Sequence, residues 1–356
     1  MNQQIRFCKS FDGARIAYAL TGNGPPLVRA PHWLTHLEYE FQSPLWRPWI
    51  EELSKRHTLL RMDERACGLS DWDVGEVSLD AWVRDLEAVV DAAGLERFAL
   101  FGHSQGAAIA IDYAVRHPQR VTQLVILGGY ARGWMKRGLP PERIAEFEAQ
   151  LKLVSAGWGR DEPTYRQMFA MSFIPGATME QVNSLSELQR KSASPENAVR
   201  IIRAFFNIDV QEVAARVGCP TLILHGRDDR RSPLEEGRIL TSLIPGATLV
   251  LLETENHILL AHEPAFRRFF DELRAFLAPQ SGRRPAFDGL TAREAQILER
   301  IAQGLDNAQI AAYLDMSEKT VRNHITHIFD KIGVENRSQA IVLARERGLG
   351  QQSRSS

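Results

Sequence analysis

The sequence predicts an α/β domain built on a mostly parallel sheet, followed by a small all-α domain. Three observations carry that prediction. Short, nearly continuous apolar runs recur through the first 278 residues with helical stretches between them, as strands covered on both faces require. The rhythm stops at about 131–212, where the pattern is helical and rich in large apolar side chains. From residue 288 onward only helical periodicity remains.

The elements follow in order. Residues 5–20 alternate around Asp12-Gly13, a turn pair, and read as a hairpin. The runs at 27–30, 57–62, 98–102, 124–128, 221–225 and 248–252 read as the remaining strands. The stretch 131–212 is too long for a loop and reads as a helical cap inserted between two strands. It carries Trp134, Met135, Trp158, Met168, Phe169, Met171, Phe173, Phe205 and Phe206. Most of these side chains are expected to hold the cap helices together, and a minority to line an apolar pocket over the sheet. Pro279-Gln280-Ser281-Gly282-Arg283-Arg284-Pro285 has the composition of a linker. The expected plan is therefore a first domain over 1–278, a linker at 279–287 and a second domain over 288–350.

Composition narrows the functional classes. With 356 residues, 44% hydrophobic and 24% charged, the chain has material for two globular domains. Its net charge of −1 excludes polyanion binding by bulk charge, so any nucleic-acid affinity must come from a local surface. Cys8, Cys67 and Cys219 are far apart and form no CxxC pair, so neither a disulfide framework nor a metal site is expected, and no motif asks for a cofactor. The N-terminal segment has no apolar stretch before a cleavage site, and no run approaches the roughly 18 residues of a membrane helix. A soluble, cytoplasmic protein with no membrane partner is the expectation.

The chemistry of the first domain centres on Gly102-His103-Ser104-Gln105-Gly106, a G-x-S-x-G between the strand at 98–102 and a helix at 107–116. A strand-to-helix turn gives this motif its meaning: the turn is tight, the serine is strained, and neighbouring Cβ atoms would clash. A serine nucleophile needs a base, and the base an orienting acid. The strand at 221–225 is followed by Asp228 and Asp229, and the strand at 248–252 by His257. The order Ser104, Asp229, His257, each just past a strand, is similar to that of α/β-hydrolases. Asp63-Glu64-Arg65-Ala66-Cys67-Gly68-Leu69-Ser70 also resembles the Asp-x-Arg-Gly-x-Gly-x-Ser segment of that family. The resemblance implies an α/β-hydrolase fold over 1–278, with Ser104 as nucleophile, His257 as general base and Asp229 as its orienter. Asp228 is the competing acid, and Gly-x-x-Asp spacing favours Asp229. His103 is expected to form pocket wall.

Two positions depart from the family pattern. Where it has His-Gly, this chain has Pro31-His32. Pro31 donates no N–H and His32 replaces a flexible glycine, so the oxyanion loop is altered. By position, the backbone N–H groups of Trp33 and Gln105 are the expected oxyanion donors. Losing one such donor costs on the order of a hundredfold in rate, which suits a slow enzyme or a sensor. Asn256 stands where glycine precedes the histidine, a milder change because Asn tolerates left-handed backbone.

In the second domain, Thr291-Ala292-Arg293-Glu294 reads as a capping box opening a helix to about Gln303, with Gly304 as its stop. A second helix is expected over about 307–314, a turn at Asp315-Met316, a third helix from the Ser317 cap to about Ile332, and a fourth from Ser338 to about Arg347. Ile297, Leu298, Ile301, Ile310, Ala311, Leu314, Val321, Ile325, Ile328, Ile332 and Val334 fall at core spacing. The exposed face of the third helix carries Lys319, Thr320, Arg322, Asn323, His324, His327 and Lys331, side chains suited to reading a major groove and holding phosphates. Leu290-Thr291-x-Arg293-Glu294, Gly304-x-x-Asn307-x-x-Ile310-Ala311, Ser317-x-Lys319-Thr320-Val321-x-x-His324 and Lys331-Ile332-Gly333-Val334-x-x-Arg337 together closely resemble the helix-turn-helix of LuxR-type regulators. The resemblance adds Asn307 and Arg337 to the DNA-binding set. It also implies a homodimer on a two-fold operator in double-stranded DNA, joined through the fourth helix.

The expected protein is a DNA-binding transcriptional regulator whose hydrolase domain senses, and in one version hydrolyses, an acyl, ester or lactone-type small molecule. The alternative is an active serine carboxylic-ester or lactone hydrolase with the DNA-binding domain as tether or autoregulator. A binding-only module with an idle serine is a third reading, and the full Ser-Asp-His set argues against it.

Overall fold

The computed structural model describes residues 1–278 save 159 and 161, and residues 290–350 save 315, 347 and 348. The linker at 279–287 and Asp315 of the turn lie outside the described residues. Contacts divide the chain between Phe276 and Leu277 into two units, described in turn.

The first unit is organised by one eight-stranded sheet in the order β1-β2-β4-β3-β5-β6-β7-β8. Strands β1 (Gln3–Lys9) and β2 (Arg15–Thr21) form the expected hairpin, with Gly13 at φ 90° in its turn. β2 pairs antiparallel with β4 (Thr58–Met62). From there β4, β3 (Pro26–Arg29), β5 (Phe98–His103), β6 (Val121–Leu127), β7 (Thr221–Gly226) and β8 (Thr248–Leu252) run parallel. Every residue of β5 and β7 is buried, which explains their unbroken apolar runs. The chain passes from β3 outward to β4, then returns to the other side of β3 as β5. That reversal opens a crevice at the C-terminal strand ends, where open α/β sheets place their ligands.

Helices cover both faces. α1 (Leu37–Gln42) and α2 (Arg47–Ser54) lie between β3 and β4 in sequence, and α3 (Leu79–Ala92) between β4 and β5. α4 (Gly106–Arg116) follows β5 and buries nine of its residues, from Gly106 to Ala114. The cap comprises α5 (Pro141–Gly157), α6 (Pro163–Met171), α7 (Met179–Ser192) and α8 (Pro195–Phe206), with the short α9 (Gln211–Ala214) leading back to β7. α10 (Leu234–Leu243) and α11 (Pro264–Leu277) complete this unit. In the cap, Trp158, Phe173, Phe205 and Phe206 are buried as expected. Met168, 57% exposed, lines an apolar cavity, as expected of a minority, and Met171, 50% exposed, departs from the expectation.

The segment after β4 forms a buried polar core. Asp63, Glu64 and Arg65 are all 0% exposed. Arg65 donates to both oxygens of Asp85, each at 2.7 Å, and reaches Asp12 and the Glu76 carbonyl. Asp63 Oδ2 accepts the Leu37 and Leu69 N–H groups, tying the β4 loop to the start of α1. Glu40 is clamped between Arg61 and Arg29. These pairs position loops at a stability cost that only full pairing offsets.

The second unit has four helices: α12 (Ala292–Ala302), α13 (Asn307–Leu314), α14 (Glu318–Ile332) and α15 (Arg337–Glu346). The Thr291/Glu294 capping box forms, Ser317 caps α14, and Gly333 ends α14 at φ 71° with its N–H on Phe329 O. Ile297, Leu298, Ile301, Ile310, Ala311, Val321, Ile325 and Ile328 make one core with Ala340 and Ala344 of α15.

Two predictions follow from the polar core. Asp85→Ala leaves the wholly buried Arg65 with Asp12 as its remaining carboxylate, so urea unfolding should report a loss of roughly 3 kcal/mol; a loss under about 1 kcal/mol would mean the pair is not essential. Burial pushes the Glu64 carboxyl up to about 8, from an ordinary 4.5. The folded chain therefore keeps a proton that the unfolded chain releases. Stability from this group is full below about 4.5 and is lost as pH rises through about 8. Unfolding free energy measured between pH 5 and 9 should fall less steeply in Glu64→Gln than in the parent, and equal slopes would overturn the assignment.

Candidate active site and DNA-contacting face

The serine lies at a forced turn. Between β5 and α4, Ser104 sits at φ 55°, a left-handed conformation that costs a non-glycine residue about 1–3 kcal/mol. The flanking glycines allow it. A Cβ on Gly102 would lie 2.6 Å from Gly106 O, and one on Gly106 would lie 2.7 Å from Pro31 O. The Ser104 N–H donates to Leu127 O at 3.0 Å, fixing the turn to the end of β6.

His257 bridges the serine and an acid. Its Nε2 lies 2.8 Å from Ser104 Oγ, and its Nδ1 lies 2.7 Å from Asp229 Oδ2. A carboxylate accepts only, so Nδ1 carries the proton and Nε2 is left to accept from the serine hydroxyl. Asp229 Oδ1 in turn accepts the N–H groups of Arg231 and Ser232, at 2.8 and 3.1 Å. Burial pushes the Asp229 carboxyl up, but His257 and the Ser232 N–H outweigh it and hold the group below its ordinary value. Gly128, at φ 56°, leaves room for the pair; a Cβ there would sit 3.3 Å from the imidazole. Asp228 is exposed on the surface beside Glu253 and Thr254, so of the two candidate acids the structure brings Asp229 to the histidine.

Asn256 acts differently from expectation. It is not in the left-handed region. Its side chain accepts the Gly176 N–H and donates to Glu263, while the His257 N–H donates to Phe173 O. The histidine loop is thereby tied to the segment between α6 and α7. His103 is buried, its Nε2 on His257 O at 3.1 Å and its ring stacked on His257 at 5.3 Å. Burial, then His257, pushes it down to about 3, so it stays neutral.

The two expected oxyanion donors differ. The Gln105 N–H makes no hydrogen bond among the described residues. The Trp33 N–H donates to the Gln105 side-chain carbonyl at 3.2 Å, and the Gln105 amide donates on to Glu64 at 2.6 Å. So one donor is held by a neighbouring side chain, an arrangement the motif's variable position did not reveal. His32, in the glycine's place, bonds Trp33 O through Nδ1 and meets Arg29 through Nε2. Burial and Arg29 keep it neutral. Two residues later, Leu34 adopts φ 64°.

A small chamber touches the serine, and a larger cavity lies beyond it without reaching Ser104. A cavity of about 230 Å³ lies under the cap, walled by Phe147, Leu151, Val154, Phe169 and Ile202 among others. A chamber of about 20 Å³ touches Ser104 and His257, enough for one water-sized group. Trp33, Phe205, Phe206 and Arg231 line both. Trp33 packs on Trp158, Phe169 and Phe205 at 5.4 to 5.6 Å, so the partition is an aromatic cluster. Among the described residues no group of three His, Cys, Asp or Glu could hold a metal ion, and no helix is long and apolar enough to cross a membrane.

In the second unit, α14 presents Lys319, Thr320, Arg322, Asn323 and His327 to solvent, with His324 half-buried. Thr320 is shared with the Ser317 cap. Three expected contacts are engaged elsewhere. Lys331 forms an ion pair with Glu294 of the capping box at 2.7 Å. Arg337 bonds Leu305 O and the Asn307 side chain, tying the start of α15 to the start of α13. Arg293 and Arg345 also turn inward, to Leu314 O and Ala302 O, and Arg300 lies over the exposed Tyr313 ring. Lys319 and Arg322 are cations of the recognition face with no internal side-chain partner among the described residues.

Comparison with known proteins matches both units. Residues 39–264 match the α/β hydrolase fold family, and residues 288–344 match the luxR family of bacterial regulatory proteins. A putative carbamate hydrolase, RutD of Azorhizobium caulinodans, is 28% identical over 225 residues, covering 62% of this chain and 81% of the relative. The AB hydrolase superfamily protein YisY of Bacillus subtilis is 30% identical over 246 residues, covering 66% and 86%. An esterase from Exiguobacterium antarcticum superposes with a TM-score of 0.63 at 22% identity, over 76% of this chain and 98% of that one. The chain belongs to the α/β hydrolase fold family and carries a luxR-type DNA-binding domain at its C-terminal end.

Proposed function

We propose that this protein is a cytoplasmic transcriptional regulator whose α/β-hydrolase domain, over 1–278, binds an acyl-type small molecule and hydrolyses it slowly. The observation that carries this reading is the Asp229–His257–Ser104 hydrogen-bond chain beside an apolar cavity, on a chain that also bears a luxR-type DNA-binding domain. In this reading Ser104 Oγ attacks the carbonyl carbon as His257 Nε2 takes its proton. Asp229 stabilises the resulting imidazolium, and His257 then returns the proton to the leaving group. The Gln105 N–H receives the developing oxyanion. The Trp33 N–H joins it once the Gln105 side chain lets go. That extra step and the tight chamber support slow turnover, which suits a protein that reports a ligand more than it destroys one. The names of the relatives, a carbamate hydrolase and an esterase, support acyl chemistry at the serine.

For the second domain, over 288–350, the reading is a homodimer on a two-fold operator. Lys319, Arg322, Asn323 and His327 face the groove. Exposed Val342, at 57%, marks the side of α15 offered to a second copy. Asn307, Lys331 and Arg337 hold the domain's shape instead of touching DNA. Ligand binding changes operator affinity by no more than the difference in ligand affinity between the two states.

Three outcomes are expected. Ser104→Ala should lower hydrolysis of p-nitrophenyl esters roughly a thousandfold or more and abolish fluorophosphonate labelling; labelling that persists would place the nucleophile elsewhere. Parent turnover at or above about 1 per second, with no ligand effect on DNA affinity, would favour the alternative of a working hydrolase with a DNA tether. Lys319→Ala and Arg322→Ala should each weaken operator binding by about 1–3 kcal/mol in a fluorescence anisotropy titration, whereas Arg337→Ala should chiefly lower the domain's melting temperature. Unchanged affinity in both of the first two would remove α14 as the contacting helix.

A further inference from the structure

Three arginines converge where the Ser104 chamber meets the cap, and one uncommitted carboxylate answers them. Arg132 pairs with Glu236 Oε1 at 2.8 Å, and Arg137 Nε lies 3.6 Å from the same oxygen while donating to Arg132 O. Asp229, the other acid nearby, is committed to His257 and to two backbone N–H groups. Arg231 is left over. Its guanidinium makes no hydrogen bond or ion pair among the described residues. It lies 4.2 Å from the Phe173 ring centroid and lines both the chamber and the cap cavity. Tyr130 lines the same chamber, and its buried hydroxyl has no partner. Arg231 is half-buried, with Asp229 near but committed elsewhere, and a buried hydroxyl without a partner is costly. One anion accepting from the two groups would satisfy the hydroxyl and give the arginine a counterion.

We infer that Arg231 and the Tyr130 hydroxyl form a carboxylate-binding subsite, and that the ligand is an acyl compound carrying its own carboxylate, with its apolar part in the cap cavity. A carboxylate is chosen over a phosphate as the smaller, planar anion matched by the flat guanidinium fork, and Arg231 stands where the chamber meets the larger cavity, which has the room the chamber lacks. Arg137, held by Glu236, contributes positive field behind it. Burial lowers Arg231 to about 10, which leaves it charged at neutral pH. This inference rests on the reading of Ser104 as nucleophile, because that reading makes the neighbouring group part of the same ligand.

The test compares two esters of equal chain length, p-nitrophenyl hexanoate and mono-p-nitrophenyl adipate, on the full chain. The expected ratio of kcat/KM favours the charged ester by about tenfold or more, the scale of a charge-assisted bond. Arg231→Gln should bring the ratio to about one or below, and Tyr130→Phe should cut it several-fold. Arg230→Gln, at the exposed neighbour, should leave it unchanged. A parent ratio at or below one, or an unchanged ratio in Arg231→Gln, overturns the subsite. A second arm needs no turnover. Monomethyl adipate should raise the melting temperature of Ser104→Ala protein, dimethyl adipate should not, and Ser104→Ala/Arg231→Gln should lose the response. A melting shift without hydrolysis of either ester leaves the subsite standing and removes the nucleophile reading; hydrolysis without charge preference or shift does the reverse.

Discussion

The backbone at Ser104 is the constraint on which the rest of the first unit depends. A side chain held at φ 55° projects from the end of β5 instead of lying along it, and this puts Oγ within 2.8 Å of His257. The conformation persists because its surroundings over-determine it. Gly102 and Gly106 let α4 press against β5 and the β3 loop at distances no Cβ permits, and Leu127 O takes the serine N–H. The strain is met by packing throughout α4, whose residues from Gly106 to Ala114 are all buried. The sheet's topology supplies the other half. Because β3 and β5 are neighbours at the point where strand order reverses, the loops after β3, β5, β7 and β8 converge on one crevice.

Around that turn the triad and the Gln105 amide form one connected hydrogen-bond network. Asp229 uses both oxygens, His257 both ring nitrogens, and Gln105 both ends of its amide. Such a network is rigid, and each bond must be exchanged for another when a ligand enters. The aromatic partition of Trp33, Phe205 and Phe206 must also part to join chamber and cavity. In the proposed reading, entry selects a second arrangement of the cap. An arrangement reached only with ligand bound is what a sensing domain needs, since a ligand shifts an equilibrium only by discriminating between states. Arg231 and the Tyr130 hydroxyl stand outside that network, and the subsite proposed above is built on them.

The luxR-type unit carries little net charge. From residue 285 onward acidic and basic residues number nine each, and several of the cations are spent on internal carbonyls or carboxylates. They fasten α12, α13 and α15 around the core, and the recognition helix keeps Lys319 and Arg322 unpaired. In the proposed reading, with so few free cations, affinity leans on base contacts and on a second copy.

Much of this was legible in the chain itself. Apolar runs, turn pairs and caps marked the strands, the cap and the four terminal helices, because local burial and backbone preference act over a few residues. Gly102-His103-Ser104-Gln105-Gly106, with Asp229 and His257 behind later strands, named the residues that the fold brings together, because each follows a strand end and parallel strands align their ends. What the sequence left open depends on side chains that meet only after folding. Nothing local says that the Gln105 amide spans Trp33 and Glu64, that Asn256 serves as a tether to Gly176, or that Lys331 and Arg337 turn inward. Arg231 reads as one basic residue in a run of charged ones. Only the tertiary structure gives Glu236 to Arg132 and Arg137, gives Asp229 to His257, and leaves Arg231 inside the pocket without a partner, because counting the charges in a pocket requires knowing which of them have already met.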